Sequence, residues 1–235
     1  QLFPDNPRTR FGDIVLRCSG NDWSYTMFRD GMMQGLIDQA ADMDDQDFRP
    51  CLVYINGQYF GIHNIREKQD AEFTEYYHSI DPDSLDYIEN NAEVKEGNDI
   101  AYQQLVAMLT SGVQSDASFA ALDAIADTRN FTDFIISQIF VANTSWGHNI
   151  SLVRNQSPTG RWRWLLHDYD RGFNVDNANG TAMDWATSLT GPEYSNPAWA
   201  TLFLRKMLEN EAFKQRFITR FADHLFITFN PVTIN

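Results

Sequence analysis

Cysteine is nearly absent from this chain of 235 residues, which holds only Cys18 and Cys51. Two thiols permit one disulfide without demanding it, and their spacing matches no zinc site, so the redox compartment stays open. No run approaches the roughly eighteen apolar residues that a membrane-crossing helix needs, and no secretory leader is present. The chain opens Gln1-Leu2-Phe3-Pro4 without a methionine and so reads as a processed product or an excised piece. Basic residues are scarce, 18 Lys plus Arg against 32 Asp plus Glu, for a formal net charge of -14. That shortage argues against nonspecific binding to nucleic acid or anionic membrane, which both need cationic surface. Divalent cations and basic partner segments suit it better, although acidity can also serve solubility alone. Internal repeats are lacking too.

What is present is globular: 43% hydrophobic residues, with 14% aromatic. The length suffices for one domain or for two lobes around a cleft. Residues 11–18 read as a strand, and residues 25–41 carry Met27, Phe28, Met32, Leu36 and Ile37 at helical spacing. Asn56-Gly57 between apolar runs at 50–55 and 58–65 marks a two-residue hairpin, because both central positions need positive φ. A helix follows over 71–80. Further helical patterns cover 99–109, 116–126, 131–141 and the long segment 199–226. Residues 42–47 form an acidic loop, read as a solvated face; it lacks the ligand order and central glycine of a helix-loop-helix calcium motif. Residues 176–197, rich in Asn, Gly, Thr and Ser, read as an extended surface loop of lid type.

Two polar clusters stand out around a second hairpin. Apolar runs at 150–154 and 161–165 flank the turn-rich hexapeptide 155–160. Folding there sets Asn149 just before one strand and Asp168 and Asp170 just after the other. Protein kinases hold metal in this way, with an Asn after the catalytic loop and an Asp beyond the next hairpin. Such oxygen ligands suit Mg²⁺, with phosphate and water completing the shell. The plain alternative is that Asp-x-Asp after a strand is a turn or a helix cap.

Several landmarks taken together resemble one family, the spore-coat-protein-H-like (CotH) atypical kinases of bacteria. They are Leu16-Arg17-Cys18-Ser19-Gly20-Asn21-Asp22-Trp23, Arg29-Asp30, the stretch from Val53 to Ile62, Arg66-Glu67-Lys68, the loop from Asn143 to Asn149, and the stretch from Trp162 to Asp170. The resemblance covers nearly the whole chain. It implies an α+β, divergent protein-kinase-like fold, a single domain over 1–235 with a strand-containing part at 1–97 and a mainly helical part at 98–235. It further implies a chain that starts after the family domain's first strands and stops before its last helices. The activity implied is transfer of the ATP γ-phosphate to Ser or Thr of a secreted or cell-envelope protein, with Mg²⁺ or Mn²⁺, and an extracellular or envelope location. Carried over, Asn149 is the loop metal ligand, and Asp168 or Asp170 the metal-binding acid. Glu67 is the acid after the first hairpin, and Arg66, Lys68 and Lys95 are the candidates for the phosphate-binding base.

One position departs from the pattern. Where the family carries an Asp before the Trp of the loop, this chain offers Thr144 and Ser145. A hydroxyl cannot serve as general base near neutral pH. Ser145 precedes Asn149 by four positions, against five in ordinary kinases, so either the loop is one residue short or Thr144 is the counterpart. His148, an imidazole beside the metal ligand, is the candidate replacement base. Phosphoryl transfer depends mostly on positioning and electrostatics, so a lost acid slows turnover more surely than it abolishes nucleotide binding. The alternatives are a nucleotide-binding pseudokinase or an extracellular interaction module without turnover. A carbohydrate-directed protein is suggested by Trp146, Trp162, Trp164, Trp185 and Trp199, but Trp162 and Trp164 share one strand face, which core packing explains as well.

Overall fold

Asn56-Gly57 sets the first feature of the fold. In the computed structural model, which describes residues 1–4, 6–38, 41–173, 182–189 and 197–230, both turn residues have positive φ, 52° and 78°. They join β2 (Phe48–Ile55) to β3 (Gln58–Glu67), and β1 (Ile14–Arg17) pairs with the other side of β3. The result is a three-stranded antiparallel sheet ordered β1-β3-β2. Cys18 follows β1 and Cys51 lies in β2, so β3 keeps them two strand spacings apart, about 10 Å and beyond disulfide reach. Both thiols are free.

The helix expected over 25–41 starts later, as α1 (Arg29–Asp38). Asp22, buried at 1% exposure, accepts from the backbone N–H groups of Thr26 (3.1 Å) and Arg29 (3.0 Å) and holds the preceding residues in turns. α2 (Ala71–His78) begins where Asp70 caps the Phe73 N–H at 3.1 Å. The acidic loop is not a solvated face. Asp44 meets His78 (2.7 Å) and Arg163 (3.4 Å), and its carbonyl accepts the Leu166 N–H at 2.9 Å. Burial, then repulsion from Asp38 and Asp47, pushes the Asp45 carboxyl up to about 7.

Two strands have no counterpart in the expectations from sequence, β4 (Leu85–Glu89) and β5 (Glu93–Glu96). They join the anticipated hairpin, β6 (Ser151–Asn155) and β7 (Arg163–Leu165), in an antiparallel sheet ordered β5-β4-β6-β7. Ile88, Leu152 and Trp164 enter the main core, while Tyr87, Val153 and Leu165 enter a smaller cluster with Ile80 and Leu85. Strands buried on both faces carry no polar alternation, which hides β4 in the sequence. Its hydrogen bonds with β6 cross residue 97, so the strand-containing and helical parts share one sheet, and Met33 and Ile37 of α1 share the main core with the later helices.

Those helices are α3 (Ile100–Ser111), α4 (Asp116–Asp123), α5 (Thr128–Phe140), α6 (Ala182–Thr187), α7 (Ala198–Met207) and α8 (Glu211–Asp223). The single helix expected over 199–226 is two, because Asn210 leaves the helical track and caps the Phe213 N–H at 2.9 Å. Within the loop expected over 176–197, residues 182–187 form α6; residues 176–181 and 190–196 lie outside the described residues. Trp162 and Trp164 are fully buried against Tyr102, Phe131 and Phe203, so they pack the core and present no carbohydrate platform. The architecture is mixed, with eight α-helices and two antiparallel sheets among the described residues, as an α+β chain requires. None of these helices is long and apolar enough to cross a membrane.

Candidate functional site

The β6–β7 hairpin brings its two ends together as its turn chemistry dictates. Ser145, His148 and Asn149 from the loop before β6, and Asp168 from the turn after β7, line one cavity of about 260 Å³, with Asn21, Thr144, Arg171 and Trp185. Asp168 has φ 53°, a left-handed value that Asp tolerates better than most residues. Asn143, fully buried, holds both ends: its Nδ2 donates to the Asp168 carbonyl (3.1 Å), while its Oδ1 accepts from the Ser145 N–H and hydroxyl (both 3.1 Å). The Asn149 Nδ2 donates to the Ser145 carbonyl at 3.1 Å, which leaves Oδ1 as the atom suited to a cation.

The structure separates the two aspartates that the sequence could not. The Asp168 side chain is 19% exposed and faces the cavity, whereas that of Asp170 is 1% exposed. Asp170 Oδ2 accepts the Asn21 N–H at 2.7 Å and the Arg17 Nη2 at 3.2 Å. Burial, then repulsion by Asp168, raises the Asp170 carboxyl, and the bonds from Asn21 and the charge of Arg17 offset this only in part. Arg17 also grips Asp168 Oδ1 and lies 3.6 Å from Asp30 Oδ2. Gly20 makes this approach possible: it has φ 53°, and a Cβ there would run into Asp170 Oδ2.

Behind these groups lies a buried ion pair. Arg66 of β3 donates to Asp30 of α1 at 2.7 Å, with side chains 2% and 5% exposed. Asp30 Oδ1 accepts the Tyr169 N–H (2.8 Å) and the Gln34 amide (2.8 Å). Burial alone would raise the Asp30 carboxyl; Arg66, Arg17 and the Tyr169 N–H outweigh it and hold it below the ordinary value. The strand–helix pair is thus wired to the residue between Asp168 and Asp170.

The other candidates from sequence are elsewhere. Glu67, on the opposite face of β3 from Arg66, takes Arg8 (2.8 Å) and the Tyr77 hydroxyl (3.1 Å). Lys68 pairs with Asp13 at 2.8 Å, and Lys95 with Glu89 and Glu93, both lysines on the surface. None of the three candidates for phosphate contact lines the cavity, whose lining arginine is Arg171; Arg17, which sequence reasoning left unassigned and which lies behind that lining, is the cation that meets the acids. Its only signal was its place in the stretch Leu16–Trp23; Asp30 and Asn143 were equally visible as landmarks but not as partners.

The donor set fits a hard divalent cation such as Mg²⁺. The Asp168 carboxylate and the Asn149 amide oxygen are ligands of the kind it prefers, with phosphate and water supplying the rest, and Asp168 already holds a cation, the Arg17 guanidinium, which it shares with the buried Asp170. Among the described residues no group of three or more His, Cys, Asp or Glu gathers for a metal, so the protein alone would not complete a shell. A larger open cleft of about 430 Å³ between α5 and α8 has Asp223 as its one lining carboxylate. Its Arg220 is held by Asp133 at 2.7 Å, so it offers no comparable chemistry.

An acid pair after a hairpin, an Asn before it and a strand–helix ion pair behind it thus meet on an α+β scaffold. The family model described as CotH kinase protein matches residues 3–235. The chain belongs to the CotH kinase family. No curated protein sequence matches it.

Proposed function

We propose that this chain binds ATP with Mg²⁺ or Mn²⁺ on a divergent kinase-like fold and transfers the γ-phosphate slowly to Ser or Thr of a secreted or cell-envelope protein. The observation that carries the reading is the link from Arg66 through Asp30 to the Tyr169 N–H, at 2.7 and 2.8 Å, beside Asn149, Asp168 and Asp170. Protein kinases need a strand-borne cation paired with a helix-borne acid in place together with the metal-binding acid; Arg66 and Asp30 have that form. Asp168 and Asn149, which line the cavity, are the residues that would hold the metal, with Asp170 buried behind them; the metal when bound neutralises charge on the phosphates. Asn143 fixes the loop against the acid turn, so the substrate hydroxyl and the phosphates would meet at the cavity between them.

The slowness follows from the base position. Ser145 is 4% exposed, and its hydroxyl is donated to Asn143, so it takes no proton. This observation favours the second reading, a pseudokinase that binds nucleotide without turnover. His148 lines the same cavity and is the candidate proton acceptor under the first reading.

Calorimetry with ATP should give binding in Mg²⁺ or Mn²⁺ and little without metal; no binding in either metal would end both readings. Radiolabelled ATP then separates them, since the kinase labels itself or a substrate slowly and the pseudokinase does not. Supplying the missing carboxylate should raise labelling. Thr144→Asp is expected to do so more than Ser145→Asp, whose new charge would face Asn143 Oδ1, and equal rates for wild type and both variants would remove these positions from the base role.

A further inference from the structure

We infer that Arg17, with Asn21 beside it, is the phosphate-binding cation of this site, held in the unliganded chain by Asp168 and Asp170 acting as internal anions. The inference rests on the nucleotide-binding reading above and names the ligand group as a polyphosphate. Among the described residues Arg17 is the one arginine or lysine whose guanidinium or ammonium bonds both acids: Nη2 to Asp168 Oδ1, and to Asp170 Oδ2 at 3.2 Å. Asn21 adds its N–H at 2.7 Å and its side-chain amide at 3.2 Å to the Asp170 carboxylate, and it also lines the cavity. A guanidinium and a backbone N–H converge on one oxygen, Asp170 Oδ2, while the Asn21 amide spans both oxygens, and charge-assisted and backbone donors gathered on one anion in this way suit a phosphate group.

A second observation is independent of these bonds. Arg17 Nε and the Nε and Nη2 of Arg66 are buried donors with no hydrogen-bond acceptor among the described residues. Buried donors are almost always satisfied, and here three are left over around Asp30, whose carboxylate already serves both arginines, Gln34 and Tyr169. The region is short of acceptor oxygens, which a polyphosphate would supply. The exchange also balances charge: a cation taken up at Asp168 frees one of the two carboxylates that hold Arg17, and the guanidinium then meets the incoming anion in competition with Asp170 alone.

The consequence is competition between Asp170 and phosphate for the same donors, testable without metal or turnover. Binding of inorganic tripolyphosphate in EDTA is measured by calorimetry for wild type, Asp170→Asn, Arg17→Met and the double variant, with Asp116→Asn on α4 as a control for net charge. Asp170→Asn is expected to tighten tripolyphosphate binding roughly tenfold, since a charge-assisted contact is freed, and Arg17→Met to abolish that gain in the double variant. Asp116→Asn should change little. Equal affinity in Asp170→Asn and the double variant, or no gain in Asp170→Asn, would overturn the assignment, with near-ultraviolet dichroism confirming that each variant is folded. If wild type binds Mg-ATP while the double variant matches Asp170→Asn, the kinase reading stands and Arg17 falls. If tripolyphosphate affinity follows Arg17 but no metal supports ATP binding, the Arg17 site stands and the nucleotide reading falls.

Discussion

At the scale of single residues the site is governed by how few atoms separate its acids from its basic group. Gly20 is the sharpest instance. Its φ of 53° disfavours any side chain, and the direction of its Cβ leads into Asp170 Oδ2. Gly20→Ala should cost at least about 1–2 kcal/mol from the left-handed backbone alone, read as a lower midpoint in denaturant, and it should also loosen the Arg17–Asp170 contact. A midpoint unchanged from wild type would mean that the turn relaxes freely. Asn143 makes the complementary point, because one buried amide ties the base loop to Asp168. That Asn149 and Asp168 come together at one cavity was legible in the sequence because hairpin chemistry fixed their neighbours. Arg17 and Asn21 were not, because their role depends on a contact across about 150 residues, and no local spacing reports such a contact.

At the scale of elements, β3 and α1 are joined through Arg66 and Asp30, and Asp30 is bonded in turn to the Tyr169 N–H of the acid turn. Arg66→Met would leave Asp30 with Arg17, Gln34 and the Tyr169 N–H but without its closest charge. Breaking a buried pair on one side is expected to cost about 3 kcal/mol and to weaken ATP binding in metal as well; a stable Arg66→Met protein with wild-type affinity would refute this coupling. The elements themselves were unevenly readable. The Asn56-Gly57 hairpin and the helices at α2 to α5 followed from turn chemistry and periodicity, with ends shifted by a few residues. The break at Asn210 was hidden because apolar spacing continues on both sides of it, in Phe203, Leu204, Phe213 and Phe217. β4 was hidden because both its faces are buried, so it shows no alternation to read.

For the whole molecule, the net charge of -14 is folded with several carboxyls turned inward. Burial raises Asp38, Asp45, Glu67 and Asp170, while Asp30 and Asp133 lie below their ordinary values because Arg66, Arg220 and His224 outweigh burial. An acid whose folded pKa exceeds its unfolded value binds more protons when folded, so its contribution to stability falls as pH rises between the two. For Asp45 that window runs from 3.8 to about 7. Asp45→Asn should therefore stabilise the protein by about 1–3 kcal/mol at pH 7.5 and by little at pH 4, measured by denaturant melts at both values; a gain that is the same at both would assign it to packing instead. The shared sheet has a consequence of another kind, for synthesis. β4 pairs with β5 at once but must wait for β6, some 60 residues later, which at ribosomal speeds is roughly 3–12 s. During that interval the Leu85–Glu89 edge, buried in the finished protein, stands open to pairing with any other strand that reaches it.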